Sequence, residues 1–236
     1  WKRILELSST QRRVRRSGLA HDVIYIRSHF AALPTSIWAK IHCIPTVLEI
    51  NGPIDDLFIA WPWTRKFRHM FNWMRLVQMK WAEAIVAVTP QLRSWVVNTI
   101  GHENVYVIPN GANSELFVPK ANELSPVEQP YVVFFGAMTV WQGIDTMLDA
   151  VNDPQWPQNL NLVMIGDGAE RSKVERMAST NPRIKYVGKV RYKEVPLFVA
   201  NALAGLSVQN NVEGRAETGL YPLKVFETMS CAIPVI

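Results

Sequence analysis

"YVVFFGAMTVWQGIDTMLDA", residues 131–150, opens on five apolar residues and meets glycine at Gly136. After a short loop it reaches a second glycine, Gly143, and then sets Ile144, Met147 and Leu148 at helical spacing. A β-branched and aromatic run, a glycine-bounded turn and an amphipathic stretch read as strand, loop and helix. The strand is predicted over 131–137 and the helix over 143–151. The unit then repeats: "LNLVMIGDG" (160–168) before a helix over 169–179, and "IKYVGKV" (184–190) before a helix over 193–201. "AGLSVQN" (204–210) leads to a last helix that starts at Pro222, proline being favoured in a first helical turn.

Upstream the same alternation holds. "DVIYIRS" (22–28), "PTVLEIN" (45–51), "AIVAVT" (84–89) and "NVYVIPN" (104–110) read as strands, with helices at about 34–43, 63–82 and 90–99. Strands that are apolar throughout and separated by helices pair in parallel and are covered on both faces. "VPKANELSPVEQP" (118–130), with three prolines, reads as a linker. The predicted fold is therefore α/β, with two Rossmann-like, doubly wound parallel-sheet domains over 1–118 and 131–236 and a linker at 119–130. Ligands of such sheets collect at the C-terminal ends of the strands. The chain opens in a basic helical run and stops at "AIPVI", where a strand would continue, so both domains are expected to be incomplete and these 236 residues by themselves inactive.

With 236 residues and 48% of them apolar, the chain can bury two cores. Cys43 and Cys231 are far apart and unpatterned, which argues against a disulfide framework or zinc site and for a reducing, cytoplasmic compartment. No apolar run approaches the roughly 18–20 residues of a membrane span, and the first residues lack the apolar core of a signal peptide. Charge is uneven: residues 1–118 hold 14 Lys+Arg against 8 Asp+Glu, and residues 119–236 hold 11 against 12. The first half therefore suits an anionic partner. Anionic membrane lipid fits better than nucleic acid, for which no reader motif is present, so a peripheral position at the inner face of a membrane is one expectation.

"WPWTRKFRHMFNWMRLVQMKWAEAIV" (61–86) allows two readings. Either it lies on anionic lipid as an interfacial helix, or it packs Phe67, Met70, Met74, Val77 and Trp81 inward with its bases reaching outward.

The last helix offers Lys224 and Glu227, three residues apart and so on one side. A lysine in the first turn is the wrong sign for the helix dipole, which suggests that it and the exposed amides serve a bound anion such as phosphate. The loops after the strands, around Gly136 and at Gly166-Asp167-Gly168, lack the G-x-G-x-x-G fingerprint. Each alone is a tight strand-to-helix turn. His29, after the first strand, can line a cleft, although a lone histidine is ordinarily a satisfied loop residue.

The order of "VIPNGAN…LFVP", "FFGAMTVWQGIDTMLDA", "LVMIGDGAERSKVERMA", "IKYVGKV…EVPLFVANA" and "PLKVFETMSCAIPVI" resembles the retaining glycosyltransferases of family four, which have the GT-B fold. "HDVIYIRSHFAALPTSIWAKIHCIPTVLEINGP" looks like that family's acceptor-domain strands. The resemblance runs from about residue 20 to the end and implies two domains facing a cleft, with a nucleotide-diphospho-sugar donor on the C-terminal one. A glycan or lipid-linked acceptor would sit on the N-terminal one. No cofactor is implied beyond the donor.

By that resemblance Glu227 would accept hydrogen bonds from the donor ribose. Gly219, Leu220, Tyr221 and Leu223 would turn backbone amides to the diphosphate, Gly188 to Val190 would read the base, and Gly136 and Gln142 would belong to the donor loop. The chain departs from the family at four places. Ala137 and Gln142 stand where the family has a diphosphate-binding Arg and Lys, Gly219 stands where it has a second glutamate, and Asn51 replaces a histidine that faces the donor sugar.

Two accounts follow. Lys224 supplies the missing charge, with Glu213, Arg215 or Glu217 replacing other contacts; a branch of the family with "PLKxxE" and a tryptophan before the donor-loop glycine looks like Trp141-Gln142-Gly143 here. Otherwise catalysis is lost and a nucleotide-sugar-binding or scaffold protein remains. A GT-B nucleotide-sugar epimerase is a third possibility. No Asp-x-Asp stretch occurs, so a metal-independent transfer is expected, with Asn51, Lys224 and Glu227 at its centre.

Overall fold

Every strand pairing in the computed structural model is parallel, as apolar strands separated by helices require. The structure describes residues 2–17, 22–53, 55–119, 124–128, 130–212, 219 and 221–236. Packing divides the chain into two units, Trp1–Pro109 with Glu217–Leu220, and Asn110–Ala216 with Tyr221–Ile236.

The first unit runs α1 (Lys2–Ser17), β1 (Ile24–Arg27), a 3-10 turn (Phe30–Ala32), α2 (Leu33–Ile41), β2 (Thr46–Ile50) and α3 (Asp55–Ala60). A second 3-10 turn (Pro62–Phe67) leads into α4 (Arg68–Trp81), followed by β3 (Ala84–Ala87), α5 (Pro90–Ile100) and β4 (Val105–Val107). The strands lie in sequence order, β1-β2-β3-β4. Right-handed crossovers between consecutive strands put the connecting helices on one face. A core cluster accordingly joins Ile24, Ile26, Leu48, Ile50, Ile85 and Ala87 to the helical Ala39, Met79, Leu92 and Val96.

One packing expectation fails here. On α4 the buried side is Phe71, Arg75, Gln78 and Met79, whereas Phe67, Met70 and Trp81 are exposed and Met74 and Val77 only half-buried. The helix is rotated so that its bulkiest apolar residues face outward.

The second unit holds β5 (Tyr131–Ala137), α6 (Ile144–Asn152), β6 (Asn161–Asp167), α7 (Arg171–Thr180) and β7 (Ile184–Gly188). A 3-10 turn (Tyr192–Glu194), α8 (Val195–Val199), β8 (Ala204–Gly205) and α9 (Leu223–Ser230) follow. Alternate residues of β5 and β6 enter opposite cores. Val132, Phe134, Leu162 and Met164 pack with Ile144, Met147, Leu148 and Val174. Tyr131, Val133, Phe135, Val163 and Ile165 pack with Phe117, Val195, Phe198 and Cys231. The sheet is thus buried on both faces, in the order β7-β6-β5-β8. Strand order reverses at β5, and that reversal is where a doubly wound sheet opens a crevice for ligands.

The predicted strand at 204–210 is reduced to two residues, and the chain's last residues run beside it. Val235 bridges Gly205 in parallel, and the Ile236 amide donates to the Gly205 carbonyl at 2.9 Å. Gly205 also admits α9, because a Cβ on it would lie 2.6 Å from the Thr228 side chain. Among the described residues no helix is long and apolar enough to cross a membrane. Cys43 is exposed and Cys231 buried, and no disulfide joins them.

Candidate active site

The reversal at β5 places three sequence-distant polar groups together. Lys224, in the first turn of α9, donates from Nζ to Gln142 Oε1 at 2.5 Å, and Gln142 lies in the loop after β5. Gln142 Oε1 also accepts from Gln209 Nε2, in the segment after β8, at 3.3 Å. The Lys224 ammonium sits 3.8 Å from the centroid of the Phe134 ring. Gly136 completes the floor: a Cβ there would come within 3.7 Å of Lys224 Cε and Nζ. Gly143, by contrast, is needed for packing, since a Cβ on it would be 2.4 Å from Val208 Cγ1.

Helix α9 is amphipathic in the reverse sense. Lys224, Glu227 and Thr228 are its buried residues, while the apolar Leu223 and Met229 are exposed. A surface helix normally turns its charges to water, and burying an ionisable side chain is costly without a partner. Burial holds the Lys224 pKa down to about 7, against the opposing attraction of Glu227. Desolvation raises the Glu227 carboxyl above its ordinary value, offset by a hydrogen bond from Tyr192 and by Lys224. Tyr192 donates to Glu227 Oε1 at 2.7 Å, and its own phenol is pushed up to about 12 by desolvation and by that carboxylate. Two buried ionisable groups with displaced pKa values, at the strand-order reversal of the second sheet, make a candidate binding site.

Among the other predicted residues, Gly188 ends β7 in the left-handed region at φ +79, and Val190 packs against the second unit's core. The Tyr221 carbonyl accepts from Asn110 Nδ2 at 2.9 Å, and its ring meets Phe226 edge-on at 6.3 Å. Gly219 is grouped with the first unit rather than with α9, where a Cβ on it would lie 2.5 Å from Gln91 Oε1. Leu220, Glu213, Arg215 and Glu217 lie outside the described residues.

Asn51 belongs to the first unit, directly after β2. Its Nδ2 donates to Glu49 Oε1, and its Oδ1 is buried without a partner. Beside it the buried Arg75 donates to the Gly52 carbonyl at 2.8 Å. Desolvation lowers the Arg75 guanidinium to about 10, against the pull of Asp55 and Asp56. His29 acts locally, its Nδ1 accepting from the Ala31 amide at 3.1 Å to cap the turn that follows. No group of three or more His, Cys, Asp or Glu that could hold a metal ion occurs among the described residues.

Two parallel-sheet α/β units of this kind are the architecture of the GT-B fold. Residues 129–236 match the family model for glycosyl transferases group 1, and residues 1–116 match that for glycosyltransferase family 4. The two models, one for each half of the chain, support a family-four-like glycosyltransferase. It is 25% identical over 216 residues to an uncharacterized glycosyltransferase of Methanocaldococcus jannaschii, covering 89% of this chain and 54% of that protein. It therefore spans about half the length of the curated relative it matches.

Among solved structures, the fold is similar to that of Anabaena HepE in complex with UDP (TM-score 0.68, 17% identity), with 97% of this chain and 62% of that one covered. HepE has also been solved with UDP-glucose. Sucrose-phosphate synthase of Thermosynechococcus elongatus is similar as well (TM-score 0.73, 17% identity), with 97% and 58% covered.

Sequence reasoning missed Tyr192 and Gln209. Tyr192 follows the loop assigned to base reading, which is the signal that pointed to it.

Proposed function

We propose that the protein transfers a sugar from a nucleotide-diphospho-sugar to an acceptor hydroxyl with retention of configuration and without a metal. The observation that carries this reading is the inward-facing Lys224–Glu227 pair of α9, joined to the loop after β5 through Gln142 and to the segment after β7 through Tyr192. UDP and UDP-glucose in complexes of the structurally similar HepE support a uridine nucleotide as the first donor to test. Glu227 accepts from the ribose. Lys224 and the first amides of α9 receive the diphosphate.

As the acceptor oxygen bonds to the anomeric carbon on the leaving-group face, the bond from that carbon to the diphosphate breaks. A phosphate oxygen takes the acceptor's proton. Negative charge developing on the leaving group is stabilised by the preorganised ammonium and amides. No covalent sugar–protein intermediate is required, and no cofactor beyond the donor. The acceptor is a glycan or a lipid-linked hydroxyl.

The test is incubation of the complete protein with radiolabelled nucleotide sugars in the presence of a chelator. Transfer or slow hydrolysis with retained anomeric configuration is expected. Binding without turnover would instead mark a silent nucleotide-sugar-binding protein, and a changed sugar with the nucleotide still attached an epimerase. Glu227→Ala is expected to weaken UDP binding by about 1–3 kcal/mol, the scale of a hydrogen bond to a charged group. Unchanged affinity by calorimetry would remove Glu227 from the site.

A further inference from the structure

Segment 61–81 turns its largest apolar side chains to solvent. Trp63 is 62% exposed and Trp73 57%, and Trp61, Phe67, Met70 and Trp81 are exposed with them. Within α4, Met70, Trp73, Val77 and Trp81 follow at intervals of three and four and so share one side of the helix. The opposite side is the buried one, with Phe71, Arg75, Gln78 and Met79. Contiguous aromatic surface of this kind marks an interaction site.

Its charge is of one sign. From Leu57 to Ala82 the chain has no acidic residue but has Arg65, Lys66, Arg68, Arg75 and Lys80. Arg68 is paired with Asp55 at 2.6 Å, and Arg75 is buried against the Gly52 carbonyl. Lys66, His69 and Lys80 are exposed along the stripe. Tryptophans flanked by bases, with no acid among them, are the composition of a helix lying at a lipid headgroup boundary.

We propose that this face of the first unit docks on an anionic lipid bilayer, its aromatic stripe seated at the headgroup level and its bases on lipid phosphates. A second copy of the chain is the poorer occupant, because an isologous contact would oppose the same bases to each other. The proposal stands apart from the transferase reading, since it uses none of the α9 residues. Under both, docking brings the protein to the plane where a lipid-linked hydroxyl lies.

The experiment is co-sedimentation of the full chain with vesicles of phosphatidylcholine alone and of phosphatidylcholine mixed with phosphatidylglycerol, followed by tryptophan emission. Binding to the mixed vesicles with a blue shift is expected, at least about tenfold stronger than to the neutral ones and weakened by salt. Trp63→Ala with Trp73→Ala should weaken it about tenfold or more. Lys66→Glu with Lys80→Glu should erase the preference for anionic lipid, whereas Lys66→Arg with Lys80→Arg keeps it. All these side chains are exposed, so unfolding midpoints should be unchanged and loss of binding is not loss of fold. Equal or absent binding to the two vesicle types would overturn the proposal. So would a concentration-dependent dimer that the tryptophan variant abolishes while vesicles go unbound.

Discussion

At Lys224 the fold holds an ammonium where burial favours the neutral amine, lowering its pKa to about 7. On the proposed site an incoming diphosphate would reverse that preference, so binding above pH 7 would take up a proton. Affinity for UDP-glucose, whose diphosphate does not itself titrate in this range, should be flat below about pH 7. Above it, affinity should fall by up to about tenfold per pH unit. Lys224→Met should bind more weakly and without that slope. A flat calorimetric profile for the natural protein across this range would exclude Lys224 from the diphosphate.

The same group makes a statement about stability. The unfolded lysine titrates near 10.5, so between about 7 and 10.5 the unfolded chain binds more protons than the folded one. Ligand-free stability therefore rises with pH across that window. Lys224→Met should be the more stable protein near neutrality, with the gap closing toward pH 10.5. Tyr192→Phe removes the hydroxyl that donates to Glu227. If that hydroxyl holds the carboxylate in place for ribose, the variant should lose about 1–2 kcal/mol in UDP binding. It should also discriminate less against 2′-deoxy-UDP, a readout that a merely structural tyrosine would leave alone. Lys224 and Glu227 could be named from their spacing and from the family resemblance. Gln142 could be named from the resemblance, but its bond to Lys224 and the Tyr192 partner of Glu227 could not, because those hydrogen bonds span 82 and 35 residues and no local periodicity encodes them.

Elements were legible where the pattern was long. β5 covers 131–137 as predicted, and β6 lies within the predicted 160–168. The run at 204–210 misleads because only Ala204 and Gly205 pair with β5 in register, while the apolar Leu206 and Val208 serve the core cluster beyond the ladder. α3, six residues long, is too short to show a helical period. α4 misleads in another way: its period is correct, but its apolar stripe faces out. The glycines at the strand ends separate two roles that look alike in sequence. A Cβ on Gly166 would lie 1.9 Å from the Gly136 carbonyl oxygen, whereas one on Gly188 would meet nothing nearer than 4.0 Å. Gly166→Ala should therefore cost about 3 kcal/mol or more in urea unfolding, by forcing two neighbouring strand ends apart. Gly188→Ala should cost only about 1–2 kcal/mol for its left-handed backbone. Equal costs would mean that the tight approach of β5 and β6 is not what requires glycine at Gly166.

For the molecule as a whole, the two units are built to different depths of burial. The first sheet has one apolar core cluster, and Tyr25 on its other face is exposed. The second sheet is covered on both sides. Stability follows apolar area removed from water, so the first unit should melt first. Tryptophan fluorescence can follow it, because seven of the nine tryptophans lie at or before Trp95. A calorimetric scan is expected to show two transitions, the lower one coinciding with the tryptophan signal. On the proposed site UDP binds through Lys224 and Glu227, which belong to the second unit. At about a hundred times its dissociation constant it should stabilise that unit by ~2.7 kcal/mol. The upper transition should then move by on the order of 10 °C while the tryptophan transition stays in place. A shift confined to the tryptophan transition would put the nucleotide on the wrong unit and remove α9 from the site.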